Sequence, residues 1–175
     1  MSEVRSLSLA PNKLWKQQLK KILAKGLGEG YVGKSIRGKA DRAGFQLETS
    51  EYQGPEGKYH DEWAAHQNGG GQELVEDADG EKATRVYAGG TLEEEKLTSL
   101  GLTDKDVIGK LIFFVNQLGD KTRLDTDAEL KEGDWTYFYK VMKSVDEIPL
   151  VVAEEEIRFK DSLVFVHFHI NSPVK

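Results

Sequence analysis

Acidic and aromatic residues occur together in both halves of the sequence, where they could line a ligand-binding groove. The candidates are Tyr59, Asp61, Gln72 and Glu73 in the first half, and Trp135, Tyr137 and Glu155 in the second. Two carboxylates that face one groove can act as general acid and base when burial raises the pKa of one of them. The alternative is that the aromatic residues form core packing while the carboxylates pair with Lys and Arg on the solvated face.

Three consecutive glutamates, Glu154 to Glu156, lie in a segment of strand character. Side chains of a strand alternate between its two faces, so at least one of the three must point inward if the strand continues through them. An inward acid has to be paired or functional, because an isolated buried charge is costly. This segment is therefore the first place to look for a site.

His167 and His169 form a second candidate, because an H-x-H pair on a strand projects both imidazoles to the same face. A third ligand from across the sheet would be His60, Asp61, Glu73 or Glu155. Two ligands alone do not define a metal site, so we predict no metal and no cofactor, with His167 and His169 as weak candidates for ligands. The alternative is a polar, solvent-facing side of the strand, with the apolar residues turned to the core: Val164, Val166, Phe168 and Ile170.

The segment Gly28–Ser35 fits the phosphate-binding pattern G-x-x-x-x-G-K-[ST]. That pattern works when a buried strand enters the loop and a helix leaves it. Here a lysine-rich amphipathic segment comes before the loop, and a glycine follows within the next turn. We therefore interpret it as a flexible basic loop, and leave open weak anion binding by its cations, Lys34, Arg37, Lys39 and Arg42.

The composition excludes several classes of protein. The 175 residues contain no cysteine, which excludes a disulfide scaffold, a thiolate zinc site, an iron–sulfur cluster and a cysteine nucleophile. With 24 basic and 30 acidic residues the net charge is −6, which disfavours a nucleic-acid partner. No stretch reaches the roughly 18 apolar residues of a membrane helix. We therefore expect a soluble, cytoplasmic protein with no membrane partner.

Helices are predicted at three places along the chain. Apolar residues at helical spacing predict a helix over Pro11–Lys25. Thr91 opens a capping box before a short helix, and Thr103 caps a stronger helix over Asp104–Leu118 that Gly119 ends.

Strands are predicted by alternating apolar and polar residues. The segments are Phe45–Thr49, Lys58–Trp63, Gln72–Glu76, Lys82–Ala88, Asp134–Met142, Glu156–Lys160 and Leu163–Ile170. Asp79-Gly80 and Asp161-Ser162 predict hairpin turns between neighbouring strands. The glycine- and charge-rich segment Gly26–Gly44 predicts a loop.

The order of helix and then strands occurs twice, and the halves correspond loosely. Glu56–Tyr59 is similar to Glu132–Trp135, and Gly71–Val75 is similar to Ala153–Ile157. We therefore predict an α+β fold of two pseudo-repeated units, each an N-terminal helix followed by an antiparallel β-meander or hairpins, which share one core. They would form a single compact domain, 1–175, with approximate halves 9–90 and 91–171. The alternative is two unrelated halves that look alike because hairpins look alike.

Short motifs also point to a family. They are Tyr31–Lys34, Tyr59, Asp61, Gly71–Val75 and Tyr87–Gly90, and in the second half Glu132–Tyr137 and Glu155–Ile157. With them the chain resembles the domain of unknown function 5680 family over most of its length. The resemblance implies a small prokaryotic protein and supports the predicted repeat, but it brings no activity. The sequence departs from the family's pattern where it has His167-Phe-His169 in place of His-Gly-Gly, and where the strand after Asp79-Gly80 lacks a tryptophan.

The predicted function is a non-catalytic binding or interaction module, because the sequence holds no complete catalytic set. The alternative is a small-ligand sensor or a hydrolase-type enzyme with a carboxylate and aromatic groove around Glu73 and Glu155. The partner would be a small molecule or a protein, and a homo-oligomer is left open. Convergence of Glu73 and Glu155 on one pocket would favour the alternative.

Overall fold

Among the residues that the structure describes, nine antiparallel strands form one sheet. The computed structural model describes residues 36–64, 67–119 and 123–174, together with Lys16, Lys20, Lys21, Leu23 and Ala24, which are helical. The strands are β1 (Ile36–Arg42), β2 (Phe45–Gly54), β3 (Gly57–Ala64), β4 (Asn68–Asp77), β5 (Lys82–Thr91), β6 (Ala128–Glu132), β7 (Trp135–Val145), β8 (Leu150–Phe159) and β9 (Ser162–Val174). Helices α1 (Glu94–Ser99) and α2 (Asp104–Leu118) lie between β5 and β6 in the chain. The strand order is β1-β2-β3-β4-β5-β9-β8-β7-β6.

The prediction of an α+β fold built from two pseudo-repeated units, each with its own N-terminal helix, is wrong. The strands of both halves belong to one continuous sheet, in which β5 pairs with β9 from Lys82–Val174 to Thr91–Phe165. Joining the two sets of strands gives the backbone groups of β5 and β9 partners that they would lack at the edges of separate sheets. The predicted internal repeat is likewise not supported. The antiparallel pairing itself is confirmed.

The predicted loop over Gly26–Gly44 is wrong in its second part, where Ile36–Arg42 forms the edge strand β1. Its glycine and charged residues hide the strand because an edge strand has little apolar surface to bury. β1 pairs with β2 through the tight turn at Ala43 and Gly44, both of which have positive φ. The phosphate-loop match, Gly28–Ser35, lies outside the described residues, as does most of the predicted helix over Pro11–Lys25.

Helix α2 is confirmed at both ends. The Thr103 hydroxyl accepts a hydrogen bond from the Asp106 amide, and the Asp106 carboxylate accepts one from the Thr103 amide at 2.8 Å. Gly119 ends the helix with φ 54°. The predicted cap at Thr91 is wrong, because Thr91 is the last residue of β5 and α1 begins at Glu94. Among the described residues, no helix is both long enough and apolar enough to cross a membrane.

The two faces of the sheet differ in what covers them. The inner face is defined here as the face that carries Tyr59, Glu73, Tyr137 and Glu155. Apolar side chains of α1 and α2 pack on its β7–β9 part in the main core cluster, which includes Leu97, Val107, Leu111, Phe114, Tyr137, Tyr139, Ile157 and Phe165. Leu23 packs on its other part together with Tyr59, Val75, Ala83, Leu124 and Val151. On the outer face, several apolar side chains of the described residues are exposed: Leu74, Val86, Phe168 and Ile170.

Strand β9 places its histidines inward. His169 is 1% exposed, whereas Phe168 and Ile170 are 44% and 48% exposed. The alternative of a solvent-facing histidine side, with Val164, Val166, Phe168 and Ile170 turned to the core, is therefore wrong for Phe168 and Ile170. Val164 is buried in the main core cluster, as that alternative expected. The reversal follows from the pairing of β9 with its neighbours, because His169 lies opposite Tyr87 on one side and Ala153 on the other, and both of these side chains point inward.

Candidate functional site

The inner face holds four charged side chains that are almost completely buried: Glu73, Arg85, Arg123 and Glu155. Burying a charge is costly unless an opposite charge and hydrogen bonds compensate for it. In this protein the four form two ion pairs, Glu73–Arg85 and Arg123–Glu155. Buried ion pairs of this kind either make the folded structure more specific or form part of a functional site.

Glu73 is held from both neighbouring strands. Its partner Arg85 lies directly opposite it on β5 and donates through Nε. On the other side the Tyr59 hydroxyl donates to Glu73 Oε1 at 2.9 Å. Burial by itself would raise the pKa of Glu73, but the Arg85 guanidinium outweighs it and lowers that pKa below its ordinary value. Glu73 is therefore ionised.

Glu155 is held in a similar way and adds a histidine. The Tyr137 hydroxyl donates to Oε1 at 2.7 Å, and Arg123 Nη1 lies 3.1 and 3.0 Å from the two carboxylate oxygens. His169 Nε2 is 3.1 Å from Oε2. Burial would raise the pKa of Glu155, but Arg123 and then His169 lower it well below its ordinary range. Glu155 is therefore the inward member of the three consecutive glutamates, and it is paired.

A cavity of about 70 Å³, called the inner cavity below, lies between the inner face and α2. Its polar lining comes from Asp61, Glu73, Tyr87, Arg123, His167 and His169. Its apolar lining includes Ile108, Leu111 and Val115 of α2, with Trp63 and Phe165 from the sheet. This volume has room for about five water-sized groups. The inner cavity therefore combines an apolar wall with several convergent polar groups, as ligand sites do.

Asp61 is a protonated acid at neutral pH. Burial raises its pKa to about 8, and the nearby negative charge of Glu73 adds to the effect. The Tyr87 hydroxyl donates to Asp61 Oδ1 at 3.0 Å and partly opposes the shift. Asp61 can thus both donate and accept a hydrogen bond in the inner cavity without carrying a charge.

Both histidines of β9 are neutral. Burial lowers the pKa of His167 to about 3, and burial also lowers the pKa of His169. Because His169 Nε2 faces the ionised Glu155, the proton belongs on Nε2, and Nδ1 is left as an acceptor. His169 Nδ1 and Arg123 Nε are both buried, and neither finds a hydrogen-bond partner among the described residues. One acceptor and one donor in the lining of the inner cavity are therefore unsatisfied.

Two glycines beneath the inner cavity allow neighbouring groups to lie close to the sheet. A Cβ atom on Gly89 would lie 2.0 Å from the Val166 carbonyl oxygen and 2.9 Å from the His167 ring. One on Gly71 would lie 2.5 Å from the Tyr87 hydroxyl oxygen. The aromatic rings can lie close to the sheet only because these positions have no side chain.

Five of the seven predicted ligand-binding residues are buried on the inner face, in the ion-pair network or the inner cavity: Tyr59, Asp61, Glu73, Tyr137 and Glu155. Of these, Asp61 and Glu73 line the inner cavity, and the other two of the seven, Gln72 and Trp135, belong to neither. Gln72 lies on the outer face, where it is exposed and donates to Thr84 at 2.9 Å. Trp135 packs against Phe159 at the start of β7, with ring centroids 4.8 Å apart, and does not line the inner cavity.

Glu73 and Glu155 belong to one network but do not face each other across one groove. Glu73 lines the inner cavity, and Glu155 lies behind His169 and Arg123. Sequence reasoning missed Arg85, Arg123 and Tyr87. The sequence indicates that Arg85 points inward only because it lies two residues after Ala83 on an alternating strand. Nothing in the sequence indicates the position of Arg123, because it lies outside the strands and helices.

The basic loop predicted to bind anions has its described cations engaged with other side chains. Arg42 pairs with Glu62 at 3.0 Å, and Lys39 donates to Gln46 at 3.1 Å. Lys39 of β1 contacts the neighbouring strand β2, and Arg42 of β1 reaches past β2 to β3, so these two side chains are engaged by different partners.

No family model, no curated protein and no solved structure matches the chain. The resemblance to the domain of unknown function 5680 family therefore stays a prediction. Function has to be argued from the geometry of the inner cavity.

Proposed function

We propose that this protein binds a small, uncharged polar molecule in the inner cavity and acts as a ligand-binding module. The observation that carries the proposal is the convergence of Asp61, Arg123, His167 and His169 on one cavity whose opposite wall is the apolar side of α2. A few convergent polar groups set in an apolar lining are typical of small-molecule sites. The polar groups would fix the orientation of the ligand, and the apolar wall would exclude water from it.

The hydrogen-bonding groups indicate the chemistry of the ligand. His169 Nδ1 needs a donor and Arg123 Nε needs an acceptor. A molecule with an N–H group and a carbonyl oxygen, such as a primary amide or a urea, would satisfy both. The two buried arginines are balanced by Glu73 and Glu155, and Asp61 keeps its proton at neutral pH. The lining is thus close to electrically neutral, which favours an uncharged ligand over an ion.

Binding is a better fit than hydrolysis. The hydrolase predicted around Glu73 and Glu155 needs one of these two carboxyls to have a pKa raised towards neutral pH, whereas both have lowered pKa values and are each held by an arginine and a tyrosine. Asp61 does have a raised pKa, but among the described residues no ionised carboxylate that is free of an arginine lies beside it to act as its partner base. The sequence left open a small-ligand sensor or a hydrolase-type enzyme, and these contacts favour the small-ligand sensor.

The test is a titration with acetamide as the probe, followed by amide resonances in NMR spectra of the ¹⁵N-labelled protein. A molecule of four non-hydrogen atoms is expected to bind with a Kd in about the millimolar range. Acetate and methylammonium, which are similar in size but charged, are expected to bind at least about tenfold more weakly because no counter-charge awaits them.

A matched pair of α2 variants locates the binding. Ile108 lines the inner cavity, and Ile112 is half-buried on the same helix without lining it. Ile108→Trp should fill the cavity and abolish the acetamide response, whereas Ile112→Trp should preserve it. Equal responses in the two variants, or a wild-type protein that responds to none of the probes, would overturn the proposal.

We also propose that the protein works in the cytoplasm. A chain of this length without a single cysteine fits a reducing compartment. Fractionation of the source cells tests this, and recovery of the protein outside the cytoplasmic fraction would contradict it.

A further inference from the structure

We propose that Glu155, His167 and His169 bind one divalent transition-metal ion of the Zn²⁺ type at the floor of the inner cavity. The potential ligand atoms of these three residues all lie within 4.8 Å of one another. Two imidazoles and one carboxylate form a recurring set of protein ligands for zinc and for non-haem iron, and this set leaves further coordination positions open. The inference deepens the proposed function, on which it rests in one respect: the open positions must face the inner cavity.

The distances between the ligand atoms are close to those of a metal site. His169 Nε2 lies 3.1 Å from Glu155 Oε2, and His167 Nδ1 lies 3.9 Å from the same oxygen. Two ligands at about 2.0–2.1 Å from one metal ion are roughly 3.0–3.4 Å apart. The first distance already fits, and the second needs an approach of about half an ångström. The two imidazole nitrogens lie within 4.8 Å of each other, so they too would have to approach, and a rotation of the His167 side chain would have to supply both movements.

The unpartnered atom of His169 is the second, independent observation. Nε2 now faces Glu155, and the buried Nδ1 has no hydrogen-bond partner among the described residues. If the proton moves to Nδ1, the Nε2 lone pair becomes free for a metal ion, and Glu155 Oε2 is beside it. In the metal-bound protein Nδ1 would therefore donate to an acceptor of the cavity ligand, whereas in the metal-free protein it accepts. Metal binding thus replaces a single N–H···O hydrogen bond by two coordinate bonds.

Glu155 already has the supporting contacts that metal-binding carboxylates need. Tyr137 donates to Oε1 at 2.7 Å, and Arg123 Nη1 bridges the two oxygens. Such hydrogen bonds hold the carboxylate in one orientation. Oε2 accepts from Arg123 with one lone pair, so the metal ion would take the lone pair that now faces His169 Nε2. The charge of Arg123 weakens the attraction for a cation, so the two histidines must supply much of the affinity.

The test is isothermal titration calorimetry with Zn²⁺ alone, on protein from which any affinity tag has been removed, supported by the visible absorption of added Co²⁺. Wild-type protein is expected to bind one ion per chain. His167→Ala and His169→Gln should each lose this binding. Gln at position 169 keeps a donor for Glu155, and His167 is the less buried of the two, so each variant limits the risk of misfolding in a different way.

Two controls make the outcome specific. His60 lies on the outer face between two glutamates, 3.1 Å from Glu51 and 3.4 Å from Glu62, so His60→Ala removes a histidine of similar charge surroundings outside the proposed site. It should retain the wild-type affinity. Ile108→Trp should lose the acetamide response but retain Zn²⁺, which separates failure of the proposed function from failure of the metal site. The inference is overturned if wild-type protein binds no ion, or if His167→Ala and His169→Gln bind as tightly as wild type.

Discussion

Arg85 donates a hydrogen bond from Nη1 to the main-chain carbonyl oxygen of Arg123 at 3.0 Å. This contact joins the Glu73–Arg85 ion pair to the Arg123–Glu155 ion pair, although the two carboxylates lie on different parts of the sheet. It also fixes the backbone at Arg123, a residue outside the strands and helices, at the edge of the inner cavity. The two pairs therefore act as one buried network, in which loss of one arginine affects both ends.

Arg85→Met is expected to destabilise the protein by about 3–5 kcal/mol, because it leaves the buried carboxylate of Glu73 without its counter-charge. Adding Glu73→Gln should recover part of the loss, since a neutral amide needs no counter-charge. The measurement is the free energy of unfolding from urea titrations of both variants and of wild type.

The matched control for this ion pair is Lys58→Met. Lys58 pairs with Glu76 at 3.3 Å between β3 and β4, but on the solvent-exposed side of the same sheet. Its loss should cost less than about 1 kcal/mol. If Arg85→Met and Lys58→Met have similar effects, the buried network does not have the energetic role described here.

Asp61→Asn is expected to stabilise the protein increasingly as the pH rises from about 4 to about 8. In the unfolded chain the carboxyl ionises near pH 4, whereas in the folded protein burial and Glu73 raise its pKa to about 8. The folded state binds the extra proton in this window, so the contribution of Asp61 to stability falls as the pH rises. The asparagine does not titrate and can still accept from Tyr87. We expect a difference on the order of 3–4 kcal/mol by pH 7.

The measurement is the difference in unfolding free energy between wild type and Asp61→Asn at several pH values. The side chain at position 61 is surrounded by Glu73, Arg85, Arg123 and Tyr87 in both proteins, so the difference isolates the titration of Asp61 together with its interaction with Glu73. A difference that stays constant between pH 4 and 8 would mean that Asp61 ionises normally in the folded protein.

The sequence predicts local elements well and their arrangement poorly. Helix α2 is predicted to the residue because its cap at Thr103 and its stop at Gly119 are encoded locally. The joining of β5 to β9 is not encoded locally, since it pairs residues that are far apart in the chain, from Lys82 with Val174 to Thr91 with Phe165. Any two strands with unpaired edges satisfy the same local pattern, so the sequence is equally compatible with two separate units.

The candidate site shows the same limit. Tyr59, Asp61, Glu73 and Glu155 are recognisable because acidic and aromatic residues occur together on alternating segments in both halves of the sequence. Arg123 is not, because its role depends on a position in space that no periodicity fixes. The sequence also does not show that His167 and His169 point inward. Residues of β9 alternate between its two faces, and the pattern alone suggests that the apolar face is the buried one. In the folded protein the histidine face is buried instead, because its polar groups find partners there.

Paired substitutions on β9 test its direction. Phe165 is 2% exposed and packs in the main core cluster, whereas Phe168 is 44% exposed on the outer face. Phe165→Ala is expected to cost about 3–5 kcal/mol of unfolding free energy, and Phe168→Ala about 1 kcal/mol or less. Urea unfolding of both variants decides the matter, and the reverse order of costs would favour the orientation with Phe168 in the core.

Gly89→Ala is expected to destabilise the protein by at least about 2 kcal/mol. Gly89 has φ 140°, a region that other residues rarely adopt, and an added Cβ would lie 2.0 Å from the Val166 carbonyl oxygen on the neighbouring strand. Relief of this contact has to move β5 away from β9, where His167 lies over the glycine, so the acetamide response of the inner cavity should weaken as well.

Gly109→Ala is the control: Gly109 lies within α2 with no atom within 4 Å of the added Cβ. That change should stabilise the protein by about 0.5–1 kcal/mol through helix propensity and leave acetamide binding unchanged. Thermal or urea unfolding gives the stabilities, and a Gly89→Ala protein as stable as wild type would show that β5 and β9 are not packed this closely beneath the cavity.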